Sequence, residues 1–227
     1  MGDSRPTEPK RPRCPRIDSP AMAPRSLVVW LLVGVLGCSA GASPSPAVHP
    51  SPASSPGLDA MLEHDIAPHR GIPWSAARPL SWGDFQGAAP PGGEEAAKTA
   101  YGIYYAWKCR GRAFEFQAIA AFHRDDSWVK ALVLSDSTES RRVLGHEQTH
   151  FDIAELYARR MRQRFAAIAR PCAKSDDQLS FEARRILDEE RAFQRRYDAE
   201  TGHGLERREQ AAWEAEIRRQ LRLTAAP

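Results

Sequence analysis

His146 and His150 stand four residues apart, with Glu147 next to the first, in the run His146-Glu147-Gln148-Thr149-His150. On a helix, side chains at this spacing leave the same face one turn apart. Two imidazoles so placed can share one zinc ion at about 2.0–2.1 Å. Glu147 then lies beside a water on the metal rather than on the metal itself. From there it can take the water's proton as general base and pass it to a leaving amine. The H-E-x-x-H order is the one used by helix-borne zinc peptidase sites.

A catalytic zinc needs a third protein ligand and an open fourth position. Glu155 is the nearest acid, but at about 100° per residue it faces about 140° away from His150. The stretch Tyr197-Asp198-Ala199-Glu200-Thr201-Gly202-His203-Gly204 gathers candidate ligands at a helix end, where glycines let the backbone turn. His203 is the first choice, because imidazole is a good zinc ligand and a loop can aim it; the other reading is a helix-cap residue. Asp198 is the second. Glu189 and Glu190 fall on one stripe with Ile186, Phe193 and Tyr197 and would complete a His₂Glu site, although each also reads as ordinary surface charge.

These residues need elements to hold them. Tyr101–Cys109 and Ala113–Phe122 are rich in aromatic and branched residues with partial alternation, and the Arg110-Gly111-Arg112 break between them predicts a hairpin. A further short strand is expected around Trp128–Val133, and Pro90-Pro91-Gly92-Gly93 is expected to be a surface loop. From Ser135 on, the pattern becomes helical. Asp136 with Glu139 has capping-box spacing, and Val143, Leu144, Ile153, Ala154, Tyr157, Met161 and Phe165 mark an apolar face running to Arg170-Pro171. A second helix is expected over Asp177–Glu200 with Phe181, Ile186, Leu187, Phe193 and Tyr197 inward, and a third over Leu205–Leu221. Strands first and three helices after predict an α+β domain.

The N-terminal part reads as an address rather than as fold. Leu27–Leu36 is an apolar run of ten after Arg25. It falls short of the about 20 residues a spanning helix needs, and it fits the core of a signal peptide. It ends in Val35-Leu36-Gly37-Cys38-Ser39, which resembles a bacterial lipobox and implies that Cys38 is lipidated and begins the mature chain. Ser39 after it favours the outer membrane of a Gram-negative cell; periplasmic exposure or secretion is expected. Met22 stands where such a signal peptide would start. The Pro/Ser-rich stretch Ala40–Pro56 cannot pack a core and reads as a tether. The expected division is therefore extension and signal over 1–37, linker over 38–71 and one domain over 72–227.

With Cys14 and Cys38 set aside, Cys109 and Cys172 remain as an even pair suited to a disulfide in an oxidising compartment. The net charge of +3 comes from residues 1–25; the rest carries 26 basic and 26 acidic residues. A neutral body gives no reason to expect nucleic-acid binding.

The run Leu144–Arg159 resembles the signature of the DUF922 family. Two other pieces resemble its pattern too: Trp82-Gly83-Asp84-Phe85 upstream, and Tyr197–Gly204 with Gln210 and Trp213 downstream. The similarity spans roughly residues 73–222. It implies a zincin-like fold and a secreted zinc-dependent peptidase acting on a peptide or protein substrate, with His146 and His150 as ligands and Glu147 as base. On that reading, residues 113–122 supply an edge strand for an extended peptide. Tyr197 would donate to the oxyanion of the tetrahedral intermediate, or else pack in the core. Asp152 and Glu155 would orient a histidine ring. The alternative is a lipid-anchored envelope binding or assembly factor that keeps a zinc site without hydrolysis; an intact Glu147 argues against it.

Overall fold

The computed structural model describes residues 57–224. The signal segment, Cys14, Met22, Cys38 and the Ala40–Pro56 tether lie outside the described residues. The described part falls within a single compact unit. It is α+β: a small antiparallel sheet with several helices.

The hairpin forms where its alternation places it. β3 (Tyr101–Arg110) and β4 (Ala113–Phe122) pair over ten positions from Tyr101↔Phe122 to Arg110↔Ala113. A short β1 (Ile72–Pro73) adds to the far side of β4 at Phe122 and Ala121, so the order is β1-β4-β3. Alternation gives the hairpin two faces. Tyr101, Ile103, Tyr105 and Trp107 share one face with Phe116, Ala118, Ala120 and Phe122. That face meets the long central helix α3 (Ser137–Ala166), with Phe116 stacked on Phe165 (3.9 Å between centroids) and Phe122 tilted on Phe151 (5.9 Å). The opposite face receives α1 (Leu58–Ile66), where Gln117 donates to Asp59 (3.2 Å).

That first helix corrects the expected boundary at residue 72. Leu58, Leu62 and Ile66 recur every four residues and are all buried, so the ordered domain begins inside the stretch read as linker. Between α1 and the hairpin, Trp82–Asp84 form a 3₁₀ turn closed by a capping box between Ser81 and Asp84. Trp82 donates to Ser140 of α3 (2.7 Å), and Phe85 packs edge-on against Trp82 and Phe122. The Trp-Gly-Asp-Phe piece thus pins the approach to the sheet onto the central helix. A second small sheet pairs β2 (Ala97–Lys98) with β5 (Trp128–Val129). The strand expected over Trp128–Val133 stops there, because Ala131–Ser135 wind into a short helix, α2.

α3 starts as its cap residue dictates: Asp136 accepts from the backbone N–H groups of Thr138 (2.7 Å) and Glu139 (2.9 Å). Its middle is buried on nearly all sides, including Phe151, Ile153, Ala154, Leu156, Tyr157 and Ala158. A helix buried on nearly all sides belongs at the centre of a fold. The sheet covers it on one side and α4 (Asp176–Thr201) and α5 (Arg207–Leu223) on the other. Phe181, expected inward on α4, is 61 % exposed; the inward stripe begins at Leu179, Ala183 and Ile186 instead.

Cys109, at the end of β3, is bonded to Cys172, in the turn after α3, across a sequence separation of 63. Closing so long a loop restrains the unfolded chain by about 4 kcal/mol in the chain-entropy model. Reduction, or Cys109→Ser, should therefore lower the melting temperature by on the order of 10 °C. Thermal denaturation with and without reductant checks this; an unchanged midpoint would mean the bond adds no restraint.

Candidate metal centre

His146 and His150 lie on α3 one turn apart, as their spacing requires, and both are largely buried. Their Nε2 atoms are 3.1 Å apart. Asp198, one turn before the end of α4, completes the group: its Oδ1 is 3.4 Å from His146 Nε2 and 3.0 Å from His150 Nε2. Tetrahedral ligands at zinc bond lengths stand about 3.3–3.4 Å from one another, so the three atoms fit one ion with little movement.

The Asp198 oxygen supplies an independent sign. It is buried and has no hydrogen-bond partner of acceptable geometry, although two histidine nitrogens are close. A buried anionic oxygen left without a donor is costly unless a cation meets it. Burial alone would raise the Asp198 pKa, but the two histidines outweigh it and hold the carboxyl far below the usual range. For His150, burial works against the charged ring, yet Asp198 and Glu147 prevail and raise its pKa above 6.5.

That shift has a sign that can be measured. A histidine whose folded pKa is raised contributes stability that is complete below its unfolded pKa and is lost as pH rises through the folded value. The metal-free protein should therefore lose thermal stability from about pH 6.5 upward, where an unperturbed histidine begins to titrate, and His150→Gln should flatten that slope. Melting curves in chelator from pH 5.5 to 8.5 test it; a wild-type midpoint that climbs across this range would contradict the assignment.

His203, the first choice for third ligand, is not in the group. Its side chain is 78 % exposed, and its Nδ1 lies 3.9 Å from Asp198 Oδ1 at the mouth of the site. The reason is local. α4 ends at Gly202, and Gly202, His203 and Gly204 all take left-handed φ values (55°, 54° and 79°), which turns the His203 ring outward. Gly204 instead presses backbone onto the site. A Cβ there would lie 3.0 Å from His146 Cγ, so only glycine lets the loop close on that ring. Arg142, paired with Glu139, donates to the Gly204 carbonyl and holds the loop down.

The remaining candidates are placed as follows. Tyr197 is fully buried beneath the histidines, stacked on His146 (4.8 Å) and edge-on to His150 (4.9 Å). Its hydroxyl donates to Gln210 Oε1 (2.9 Å) and lies 3.2 Å from the His146 carbonyl, so the expected oxyanion role gives way to packing and support. Glu190 is buried but accepts from Tyr101 (2.6 Å) and Gln194 (2.8 Å), and the Glu189 side chain is exposed, so neither joins the group of His146, His150 and Asp198. Asp152 accepts from Trp74 and Gln148, while Glu155 pairs with Arg159 and Arg162; these bonds do not involve the histidine rings.

The residues that do hold the rings are two glutamines. Gln194 Oε1 is 2.7 Å from His150 Nδ1, and Gln210 Oε1 is 3.1 Å from His146 Nδ1. A signal for Gln194 exists in the sequence, since it is a polar residue among the inward-facing positions of α4 between Ile186 and Tyr197.

Glu147 is buried and opens on the same cavity as His146, His150 and Asp198, a cleft of about 810 Å³. The cleft is also lined by Glu94–Thr99, which includes β2. Thr99 Oγ1 donates to the Glu147 carbonyl (3.3 Å) and fastens that segment to α3. The expected peptide strand, residues 113–122, does not line the cleft: β4 is the inner strand of its sheet.

Residues 91–204, half of the chain, match a family described as bacterial protein of unknown function (DUF922). The chain belongs to the DUF922 family. The DUF922 match contains both histidines, Glu147, Asp198, Gln194 and Gly204, and ends just before α5 and Gln210. No curated protein and no solved structure matches the chain.

Proposed function

We propose that this DUF922 protein is an exported zinc-dependent peptidase, tethered to the envelope through a lipidated Cys38, with a zincin-like site. The observation that carries the reading is the Asp198 oxygen, buried without a donor between two histidine nitrogens, in the same cleft as Glu147. His146, His150 and Asp198 would hold the ion. When bound, zinc would act as a Lewis acid toward a carbonyl oxygen and make water acidic enough to attack near neutral pH.

The chain's own groups divide the remaining work. Glu147, buried at the cleft wall, accepts the attacking water's proton and returns it to the leaving amine. The pair of neutral imidazoles with one carboxylate leaves a bound dication with a net single positive charge, which favours an approaching carbonyl. The cleft volume is within the usual range for small-ligand sites, enough for a few residues of extended peptide. β2 has a neighbour on one edge, β5, so its other edge is the segment against which such a peptide would pair.

The test uses wild-type protein with its zinc content measured, incubated with a mixed peptide library beside Glu147→Gln. The expected result is about one zinc per chain and cleavage products that the variant does not make. If zinc binds but wild type cuts nothing that the variant spares, the peptidase reading falls and the non-catalytic zinc-binding envelope factor replaces it.

A further inference from the structure

The two glutamines under the histidines are arranged alike, although they come from different helices. Gln194 of α4 presents Oε1 to His150 Nδ1 (2.7 Å), while its Nε2 donates to Glu190 (2.8 Å), one turn earlier, and to the His150 carbonyl (3.0 Å). Gln210 of α5 presents Oε1 to His146 Nδ1 (3.1 Å), while its Nε2 donates to Glu214 (3.0 Å), one turn later. Each glutamate is itself engaged: Tyr101 donates to Glu190 (2.6 Å) and Arg218 to Glu214 (3.3 Å). Glu214 can come this close to α3 because Gly145 stands there; a Cβ at that position would be 3.1 Å from Glu214 Oε1.

A glutamine amide alone does not dictate a histidine tautomer, because a half-turn exchanges its oxygen and nitrogen. Here a carboxylate, which only accepts, claims the nitrogen on each side. The oxygen is therefore left for the histidine, and an oxygen there can be met only by a ring Nδ1–H. That proton assignment leaves Nε2 as the lone-pair atom turned toward Asp198. We propose that Gln194 and Gln210, each fixed by a glutamate one turn away on its own helix, are positioning residues that present His150 and His146 as Nε2 metal donors. The proposal rests on the metal-site reading above.

The experiment uses the full chain and the zinc ion alone. Zinc affinity is measured by competition with a chromogenic chelator for wild type, Gln194→Met and Gln210→Met, and for an exchange pair that combines Glu190→Gln with Gln194→Glu. Each methionine variant, close in shape but unable to accept the bond, should bind zinc about 10- to 100-fold more weakly, the usual effect of removing a ligand's outer partner. In the zinc-loaded, ¹⁵N-histidine-labelled protein, Gln194→Met should lose the protected Nδ1–H signal of His150 and keep that of His146; Gln210→Met should do the reverse. The exchange pair, which restores an acceptor at position 194 and a donor behind it, should recover both signal and affinity. Folded methionine variants with unchanged affinity and both Nδ1–H signals intact would overturn the proposal. Where a methionine variant does not fold, the exchange pair decides: retention of the His150 signal supports the proposal and its loss refutes it. Wild-type protein that takes up no zinc would be a different failure, that of the metal site itself.

Discussion

Asp198→Ala should weaken zinc binding by more than about 100-fold, beyond what loss of an outer partner usually causes, whereas His203→Ala should leave it nearly unchanged. Asp198 Oδ1 stands 3.0 and 3.4 Å from the two histidine nitrogens and is the group's sole anion. Removing it leaves two neutral imidazoles with no charge to balance the dication. His203 lies within the same neighbourhood, but its ring is mostly in solvent. Substitution of such a side chain alters stability by about 0.5 kcal/mol at most, roughly a factor of two in an equilibrium. Both variants are read by chelator competition, with circular dichroism to confirm that the helical content is unchanged. Equal losses would restore His203 as a ligand. A normal affinity for Asp198→Ala would remove Asp198 from the site, and with it the reason to place zinc there.

The contrast between these two residues shows what the sequence made legible. The helix bearing His146 and His150 is readable because capping, apolar periodicity and motif agree: Asp136 caps it, and Val143, Ile153, Ala154, Tyr157, Met161 and Phe165 of the expected apolar face are buried. The hairpin is readable for the same reason, with its break at Gly111-Arg112. The third member of the group is not, because chemistry and position pulled apart. Imidazole is the better ligand on general grounds, and a glycine-flanked loop can aim it. Yet three successive left-handed residues point His203 away, and only the packed helix end brings Asp198 in. α1 is hidden by its neighbours, since Leu58, Leu62 and Ile66 follow directly on a Pro/Ser-rich stretch whose composition reads as a tether. Gln194 and Gln210 act across helix interfaces, between α4 and α3 and between α5 and α3, so their role depends on a packing that no local spacing encodes.

Glu147→Gln should reduce peptide cleavage by about 10²- to 10⁴-fold, the usual contribution of a positioned general base, and leave zinc affinity in place. The amide keeps the size of the side chain and its fit at the buried cleft wall, but it has no lone pair basic enough to take a proton from water. Zinc binding should survive because the carboxylate is not one of the three gathered donors. One further effect even favours it. The Glu147 charge is among the causes that raise the His150 pKa, so its removal makes the ring easier to deprotonate. A metal competing with that proton gains near neutral pH. The loss should therefore fall on kcat, with KM little changed, as expected when an interaction made only in the transition state is removed. Glu147→Asp, one methylene short, separates base chemistry from charge: it keeps the Coulombic effect on His150 but holds the carboxylate back from the water. Its rate should lie between wild type and Glu147→Gln while its zinc affinity follows wild type. If Glu147→Gln cleaved at the wild-type rate with zinc in place, the proton would have to leave by another group, and His203 at the mouth of the cleft would be the one to examine.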